Sequence, residues 1–222
     1  MSYHFPATPT AVLFDLDGTL VDSAPDLAAA VNYLRTSRGM AELPLAQLRP
    51  FASHGARGLI GAGLGVEPED AAFPALRDTF LDYYEAHSTV NTRIFDGVEA
   101  VLQRFEAQNI PWGIITNKHA RFTQPVVSAL GLASRAAVVV SGDTAAHAKP
   151  HPAPMLYAAE QLGLSPEHLI YIGDDRRDIE AARAAGYMSA FAAAYGYCAM
   201  DEVADWQADA VLSQPMDLLA YF

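Results

Sequence analysis

The sequence predicts an α/β fold in which a parallel sheet has helices on both faces and an all-helical block is inserted after the first strand. From residue 91 onward, short continuous apolar runs alternate with stretches of helical spacing, which is typical of parallel strands buried on both faces. A helix is predicted near residue 25, and from about residue 40 to 90 the sequence shows helical spacing and no run typical of a strand. With 222 residues, the chain can hold one large core and a smaller insertion. We predict a core of residues 1–22 and 91–222 and an inserted helical domain of residues 23–90.

The first elements follow from the spacing of apolar residues. Residues 11–14 form a short apolar run, typical of a buried strand, that ends at Asp15. Pro25 indicates the first turn of a helix, where proline is tolerated. The glycine-rich segment 61–65 lacks the spacing of a nucleotide-binding loop and follows no strand, so it predicts a helix end. Helical spacing is shown by Leu27, Val31 and Leu34, and by Phe73, Leu76, Phe80, Tyr83, Tyr84 and His87.

The second half of the chain alternates between strands and helices. Asp96 is predicted to cap a helix that carries Val98, Val101, Leu102 and Phe105. The predicted strands cover residues 110–115, 137–140, 169–172, 189–193 and 210–212. The predicted helices cover residues 119–130, 153–162 and 176–185, with a short one after Pro215.

Composition and charge exclude several classes of protein. Apolar residues make up 51% of the chain and charged residues 18%, which excludes a disordered chain. The net charge of −12 repels phosphate backbones and anionic lipid, so we predict no nucleic-acid partner and no membrane partner. The first ten residues lack the apolar segment of a signal peptide, and no run is long enough to span a bilayer. With the single cysteine, Cys198, these features predict a cytoplasmic protein.

Polar residues collect at the C-terminal ends of four predicted strands. Ligands bind at that edge of open parallel sheets, so we expect these side chains to share one crevice. The residues that follow the four strand ends are Asp15 and Asp17, Thr116 and Asn117, Lys149, and Asp174 and Asp175.

These residue types together favour phosphoryl chemistry. Crowded carboxylates need a cation, and Mg²⁺ takes oxygen ligands together with a substrate phosphate. Lys149 suits a phosphoryl oxygen as a point charge, and Thr116 can donate a hydrogen bond to another. A carboxylate can also attack phosphorus to form an aspartyl-phosphate, and Asp15 at the strand tip is the candidate nucleophile. Asp17, two residues further on, can protonate the leaving oxygen and then deprotonate water.

The same residues carry a family resemblance. Residues 12–20, Val-Leu-Phe-Asp-Leu-Asp-Gly-Thr-Leu, resemble the first motif of the haloacid dehalogenase (HAD) superfamily. Thr116 is similar to its second motif, Lys149-Pro150 to its third, and Gly173-Asp174-Asp175 with Asp178 to its fourth. The order matches over nearly the whole chain. The resemblance implies a Rossmann-like core, with the inserted helices as the superfamily's cap domain.

The resemblance also implies a role for each matching residue in the first three motifs. Asp15 would be the nucleophile and a Mg²⁺ ligand. Asp17 would be the acid/base and would give its backbone carbonyl to Mg²⁺. Thr116 and Lys149 would hold the phosphoryl group, and Lys149 would also orient Asp15.

The fourth motif implies the remaining metal contacts. Asp174 would bind Mg²⁺. Asp175 and Asp178 would be either ligands or neighbours of the ligands, and the sequence does not rank the two.

Within the superfamily the chain resembles the phosphoglycolate phosphatases and, among them, most closely the N-acetylmuramic acid 6-phosphate phosphatases of peptidoglycan recycling. Both implied substrates carry a carboxylate, so Arg57 in the cap is predicted to bind it with its guanidinium fork. Asn117 is predicted to contact the substrate as well. The segments that support this closer resemblance are 54–57, 95–97, 116–118 with 121–122, 173–178 with Arg183, and 195–197.

The predicted partner is therefore a small-molecule phosphate ester, and the sequence leaves open whether the protein is a monomer or a dimer. Three other functions remain open. A sugar phosphomutase of the same superfamily shares all four motifs. A non-hydrolytic phospho-acceptor module gathers similar residues around Mg²⁺, although it lacks the helical insertion and an acid/base such as Asp17. A haloacid dehalogenase needs neither Asp17 nor a metal.

Overall fold

The structure is a computed structural model that describes Phe5, residues 7–198 and residues 203–222. The chain forms two compact units, one of Met1–Val21 with Ile94–Phe222 and one of Asp22–Arg93. We call the first the sheet unit and the second the helical unit. The predicted inserted domain of residues 23–90 remains a prediction, and the contacts of the structure divide the chain at residues 22 and 93.

The strands alternate with helices along the sheet unit. In chain order they are β1 (Ala11–Phe14), β2 (Val21–Asp22), β3 (Arg93–Ile94), β4 (Trp112–Ile115), β5 (Val138–Val140), β6 (Leu169–Gly173), β7 (Ser189–Ala193) and β8 (Ala210–Leu212). Strands β2 and β3 form a two-stranded sheet where the chain passes from one unit to the other. Within the described residues the other six form one parallel sheet in the order β5-β4-β1-β6-β7-β8.

The strand order creates a switch point beside β1. The chain adds β4 and β5 on one side of β1, then returns to place β6, β7 and β8 on the other side. Phe14 of β1 pairs with Ile172 of β6, so both strands end at the same level. Ligands bind at such reversals, outside the C-terminal ends of the strands. The residues that follow β1 and β6 are therefore placed at this crevice.

The described helices follow the periodicity of the sequence. They are α1 (Ala24–Thr36), α2 (Leu45–Leu48), α3 (Gly55–Leu64), α4 (Phe73–His87), α5 (Val98–Ala107), α6 (Ala120–Ala129), α7 (Ala153–Leu162) and α8 (Arg176–Ala184). Short 3₁₀ helices cover Arg49–His54, Pro166–His168, Ala204–Trp206 and Pro215–Tyr221. Across the described part of the chain, no helix is both long enough and apolar enough to cross a membrane.

Both faces of the sheet are buried, as the sequence predicts. Side chains alternate between faces along a strand, so Val12 and Phe14 join one apolar cluster while Ala11 and Leu13 join the other. Helices α5 and α6 cover the first face, and α7 and α8 cover the second. The predicted fold class, a Rossmann-like parallel sheet with helices on both faces, is confirmed.

One predicted cap is wrong. Helix α5 is capped by Gly97 rather than by Asp96, and no side chain makes the capping hydrogen bond. Gly97 has a φ of 89°, in the left-handed region that glycine adopts without the strain a side chain would bring. The chain therefore turns into α5 through the backbone of a glycine.

The helical unit contains α1 to α4. Among its described residues, only Asp22 of β2 and Arg93 of β3 lie in a strand. Helix α1 has Pro25 in its first turn and buries the predicted residues Leu27, Val31 and Leu34. The segment 61–65 ends a helix, as predicted, because Gly65 terminates α3 with a φ of 65°. These helices are the inserted all-helical block that the sequence predicts.

Candidate active site

Three carboxylates meet where β1 and β6 end. Asp15 follows β1 directly, and its backbone N–H donates to the carbonyl of Ile172 at 2.8 Å. Asp174 follows β6, and Asp178 lies in the first turn of α8. Asp15, Asp174 and Asp178 are all buried, and each places one carboxylate oxygen within 4.8 Å of the others.

Lys149 holds two of these carboxylates. Its buried ammonium group lies 2.9 Å from Oδ1 of Asp15 and 2.6 Å from Oδ1 of Asp178. It also donates to the hydroxyl of Tyr171 at 2.8 Å and to the carbonyl of Ile115 at 3.0 Å. All three protons of the ammonium group are therefore committed to oxygens of the sheet unit.

Asn117 fixes the backbone of Lys149. Its Nδ2 donates to the Lys149 carbonyl at 2.9 Å, and its Oδ1 accepts from the Lys149 backbone N–H at 2.9 Å. The side chain predicted to contact substrate thus joins the loop after β4 to the loop that carries the lysine. This pair of bonds positions Lys149 without contributing a charge.

Burial changes the acidity of the clustered groups. Burial raises the pKa of Asp15 to about 7, even though the charge of Lys149 acts in the opposite direction. Burial, followed by the charges of Asp15 and Asp178, raises the pKa of Asp174 well above its usual range. For Lys149, burial acts to lower the pKa, but the charges of Asp15 and Asp178 outweigh it and raise the pKa. The cluster holds more negative charge than its own lysine balances.

Asp17 lies beside the cluster and is paired with a second lysine. Nζ of Lys118 is 2.8 Å from Oδ1 of Asp17, with 8% and 16% of the two side chains exposed. Thr116 is buried, and its Oγ1 accepts from the backbone N–H of Lys118 at 3.1 Å. Its hydroxyl proton therefore stays available for donation.

The backbone approaches Asp174 closely on two sides. A Cβ on Gly18, which has a φ of +83°, would lie 2.1 Å from a carboxylate oxygen of Asp174. A Cβ on Gly196 would lie 2.4 Å from Cβ of Asp174. The backbone N–H of Tyr197 donates to Oδ2 of Asp174 at 2.9 Å. Glycine at both positions lets the chain pack directly against this carboxylate.

A sequence profile of the haloacid dehalogenase-like hydrolases matches residues 12–192, which span β1, the strand-end carboxylates and both lysines. The chain belongs to the haloacid dehalogenase-like hydrolases. The resemblance stated from the four motifs is confirmed.

Individual relatives of this hydrolase cover nearly its whole length. A phosphoglycolate phosphatase from Xanthomonas campestris pv. campestris is 47% identical over 211 residues, which are 95% of each chain. An N-acetylmuramic acid 6-phosphate phosphatase from Pseudomonas aeruginosa is 40% identical over 210 residues, which are 94% of this chain and 92% of the relative. The crystal structure of a predicted phosphoglycolate phosphatase from Haemophilus somnus is 27% identical, with a TM-score of 0.84 over 97% of this chain and 98% of that one. These relatives place this hydrolase among the phosphatases of the family.

The structure gives Asp175 and Asp178 different contacts, whereas the sequence could not tell which of the two lies nearer the proposed metal site. Asp175 caps α8, accepts from the backbone N–H of Arg177 at 2.9 Å and forms an ion pair with its guanidinium at 2.7 Å. Asp178 completes the capping box by accepting from the backbone N–H of Asp175 at 3.1 Å, and its other oxygen contacts Lys149. Asp178 therefore belongs to the carboxylate cluster, whereas Asp175 is committed to the helix end.

Two residues of this hydrolase's site were missed from the sequence. Tyr171 lies inside the apolar run of β6, and its hydroxyl contacts Ile115 at 2.9 Å and Asp178 at 3.0 Å. A tyrosine in a fully buried strand needs a partner for its hydroxyl, and that is the signal that could have identified it. Lys118 gave no such signal, because a lysine near a helix start is usually solvated.

Arg57 lies on α3 in the helical unit, and its side chain is exposed. Its predicted contact with a substrate carboxylate stays a prediction.

Chemically, the site offers oxygen donors and anchored cations. Three buried carboxylates close to one another suit a hard divalent cation, and the raised pKa values of Asp15 and Asp174 are what burial beside other carboxylates produces. Lys149 supplies fixed positive charge, and Thr116 supplies a hydrogen-bond donor at the neighbouring strand end. The arrangement can bind a metal ion together with an anionic group.

Proposed function

We propose that this hydrolase is a Mg²⁺-dependent phosphomonoesterase that works through an aspartyl-phosphate intermediate. The observation that carries the proposal is the position of Lys149, 2.9 Å from Asp15 and 2.6 Å from Asp178 at the switch point of the sheet. A lysine there favours the ionised form of Asp15 and fixes its orientation. It also places positive charge where a transferring phosphoryl group gathers negative charge.

In the first half of the reaction, a carboxylate oxygen of Asp15 forms a bond to phosphorus, and the bond from phosphorus to the ester oxygen breaks. Asp17 gives its proton to that oxygen, so the product leaves as an alcohol. Lys149 and the hydroxyl of Thr116 stabilise charge on the phosphoryl oxygens.

In the second half, Asp17 takes a proton from water as the water oxygen attacks the phosphorus of the aspartyl-phosphate. The bond between phosphorus and the Asp15 oxygen breaks, which releases inorganic phosphate and restores the carboxylate. Asp17 ends the cycle protonated, ready for the next ester.

The metal we propose is Mg²⁺, held by Asp15 and Asp174 together with the backbone carbonyl of Asp17. The fit of the site rests on its donor set, since Asp15 and Asp174 are buried carboxylates whose charge the two lysines do not fully balance. When bound, Mg²⁺ would supply positive charge that favours the ionised carboxylates and the charge of the phosphoryl group. Asp178 supports the site through its contact with Lys149, and Asp175 through the end of α8.

The substrate class we propose is a small phosphorylated carboxylic acid, either 2-phosphoglycolate or N-acetylmuramate 6-phosphate. The two relatives at 47% and 40% identity, a phosphoglycolate phosphatase and an N-acetylmuramic acid 6-phosphate phosphatase, support both choices. Arg57 is our candidate for binding the substrate carboxylate from the helical unit. Asn117 is retained as a residue near the substrate, although its two bonds to the Lys149 backbone favour a positioning role.

The identity of the substrate would determine the cellular role of the enzyme. Activity on N-acetylmuramate 6-phosphate would place the enzyme in peptidoglycan recycling, and activity on 2-phosphoglycolate would place it in glycolate salvage. In either case we propose that it works in the cytoplasm on a free phosphate ester.

The test compares phosphate release from the two esters as kcat/KM, with Mg²⁺ and after its removal by a chelator. Asp15→Asn removes the nucleophile with little change in shape and should lower kcat by at least about 10⁴-fold. Asp82→Asn is the matched control, because Asp82 is an exposed residue of α4. Acid quenching during turnover should leave a phosphoryl group on the peptide that contains Asp15.

Wild-type turnover by the Asp15→Asn variant would refute the proposed mechanism, and full activity in the chelator would refute the metal. A preference of about a hundredfold for one ester, equivalent to about 2.7 kcal/mol in the transition state, would identify the substrate.

A further inference from the structure

The hydroxyl of Tyr171 and the ammonium group of Lys149 share two acceptors. The hydroxyl lies 2.9 Å from the carbonyl oxygen of Ile115 and 3.0 Å from Oδ1 of Asp178. Nζ of Lys149 lies 3.0 and 2.6 Å from the same two oxygens, and it donates to the Tyr171 hydroxyl at 2.8 Å. All four residues are buried. Both donors therefore lie within hydrogen-bond distance of both acceptors.

The protons of these two donors can be distributed in more than one way. The Tyr171 hydroxyl has one proton, which it gives either to Ile115 or to Asp178. The ammonium group has three protons for four oxygen neighbours, which belong to Asp15, Asp178, Ile115 and Tyr171. Rotation of the hydroxyl about its C–O bond changes the acceptor of its proton and moves no heavy atom.

The proposed reaction adds a fifth acceptor for Lys149, an oxygen of the phosphoryl group beside Asp15. Withdrawing an ammonium proton from Asp15 or Asp178 would weaken the balance of a buried carboxylate, which is unfavourable while Asp15 attacks as an anion. Withdrawing it from the Ile115 carbonyl is unfavourable only if no other donor replaces it. The proton for the phosphoryl oxygen therefore comes most easily from the carbonyl, provided that a second donor is in reach.

The Tyr171 hydroxyl is a donor in reach of that carbonyl. It is already 2.9 Å from the Ile115 oxygen and has only to turn its proton toward it. When it does so, Asp178 keeps its contact with Lys149 at 2.6 Å and with the backbone N–H of Asp175 at 3.1 Å. One hydroxyl rotation thus releases an ammonium proton and leaves both acceptors with a donor.

We propose that Tyr171 is a positioning residue that acts through Lys149. Its hydroxyl takes over the Ile115 carbonyl when the phosphoryl group binds, so that one ammonium proton turns to a phosphoryl oxygen while Lys149 stays bonded to Asp15 and Asp178. The inference rests on the proposed function and adds a residue to it. Without the hydroxyl, Lys149 has three protons for three partners, and a proton given to the substrate leaves the carbonyl without that donor.

The first test is Tyr171→Phe, which removes the hydroxyl and keeps the ring. Tyr195→Phe is the matched control, because the half-buried hydroxyl of Tyr195 donates to the backbone carbonyl of Thr19 at 3.1 Å. Phosphate release is measured with Mg²⁺ from 2-phosphoglycolate and from N-acetylmuramate 6-phosphate. Thermal unfolding shows whether each variant is folded and how much stability it loses.

In Tyr171→Phe we expect kcat on the better ester to fall by about thirtyfold, which corresponds to about 2 kcal/mol. KM should change by less than about threefold, because charge on the phosphoryl oxygens increases in the transition state. Tyr195→Phe should keep kcat within about threefold of the wild-type value.

The second test observes the Ile115 carbonyl directly. Ile115-Thr116 is the only Ile-Thr pair in the chain, so ¹³C-carbonyl isoleucine and ¹⁵N-threonine together give one NMR signal for this peptide bond. The probe is saturating inorganic phosphate with Mg²⁺. In Tyr171→Phe the carbonyl carbon should shift upfield when phosphate binds, since it loses its Lys149 proton. In the wild type and in Tyr195→Phe the shift of a hydrogen-bonded carbonyl should be retained.

A merely structural role for Tyr171 would produce no difference between wild type and variant in this response to phosphate. A kcat in Tyr171→Phe within threefold of the wild-type value, an equal loss in Tyr195→Phe, or the same response of the carbonyl signal in Tyr171→Phe and the wild type would each overturn the inference and leave the proposed function standing. If the wild-type enzyme releases phosphate from neither ester, the proposed function fails instead.

Discussion

Two buried acidic sites, one in each unit, are balanced in opposite ways. In the helical unit, Asp26 is 1% exposed, and the hydrogen-bond partners of its carboxylate among the described residues are all neutral. The backbone N–H groups of Asn91 and Thr92 donate to it at 2.9 Å, and the Thr92 hydroxyl and the Asn91 amide donate at 2.8 and 3.1 Å. These donors tie the start of α1 to the end of the helical unit. A carboxylate that accepts this many hydrogen bonds needs no cation to balance its charge.

The carboxylates of the sheet unit lie close to one another instead of being surrounded by neutral hydrogen-bond donors. Asp15 and Asp178 share Lys149, Asp174 lies close to both, and burial raises the pKa of both Asp15 and Asp174. Burial of a carboxylate therefore says little about function by itself. The way its charge is balanced distinguishes Asp26, which accepts four hydrogen bonds, from a cluster whose negative charge Lys149 alone does not balance.

The largest expected effect tests the crowded site. Asp174→Asn should lower kcat/KM by about 10³-fold or more, because the variant loses a proposed ligand while keeping the shape of the side chain. The measurement is phosphate release over a range of Mg²⁺ concentrations, in which the variant should also need more Mg²⁺ for half-maximal rate. In metal-free buffer the same variant should unfold at a higher temperature than the wild type, since one of the crowded charges is gone.

Activity in Asp174→Asn within a few-fold of the wild-type value would remove Asp174 from the metal site. A lower unfolding temperature in metal-free buffer would show that its charge is balanced as completely as that of Asp26.

The same substitution at Asp26 should have the opposite effect on stability. In Asp26→Asn an amide NH₂ group faces the donors on Asn91 and Thr92, so bonds are lost and N–H groups are left without acceptors. We expect a loss of about 2 to 3 kcal/mol in the free energy of unfolding, measured with urea. Asp82→Asn, at an exposed position of α4, is the control within the same unit. If Asp26→Asn is as stable as that control, the contrast between the two acidic sites is unfounded.

The contrast also explains which parts of the molecule the sequence could predict. Strands β1, β7 and β8 match their predicted bounds, because each is a short and largely apolar run in the sequence. Asp15 and Asp174 were found for the same reason, since the strand ends determine where such residues meet. The local sequence pattern is sufficient to predict a site residue when the end of its own strand determines its position.

Contacts between distant segments were not predictable in this way. Asp26 meets Asn91 across 65 residues of sequence, and Lys118 meets Asp17 across 101. Neither pair leaves a periodic pattern, because each contact depends on how complete elements pack. Tyr171 was hidden for another reason, since its ring fits the apolar run of β6 and only its hydroxyl is part of the site. The error at Asp96 arose because Gly97 makes the turn into α5 with its backbone alone.

The last expected effect is a pH dependence of stability that separates the crowded site from the rest of the fold. The pKa of Asp15 is raised from 3.8 to about 7, so between these values the folded protein without metal holds a proton that the unfolded chain has lost. The stability contributed by this proton is complete below pH 4 and is lost as the pH rises through 7, by about 1.4 kcal/mol per pH unit. Asp174 acts in the same direction, because its pKa is raised as well.

Urea unfolding of metal-free protein from pH 4 to pH 8 measures this slope as the difference between the wild type and Asp15→Asn, since the titrations of groups that do not interact with Asp15 cancel in that difference. The wild type should lose stability relative to the variant as the pH rises, and saturating Mg²⁺ should reverse the trend, because metal binding favours the ionised carboxylates. A difference that is flat across this range would mean that Lys149 balances Asp15 without a metal. The crowded site would then be complete in the same sense as the site of Asp26, and its need for a cation would lose its physical basis.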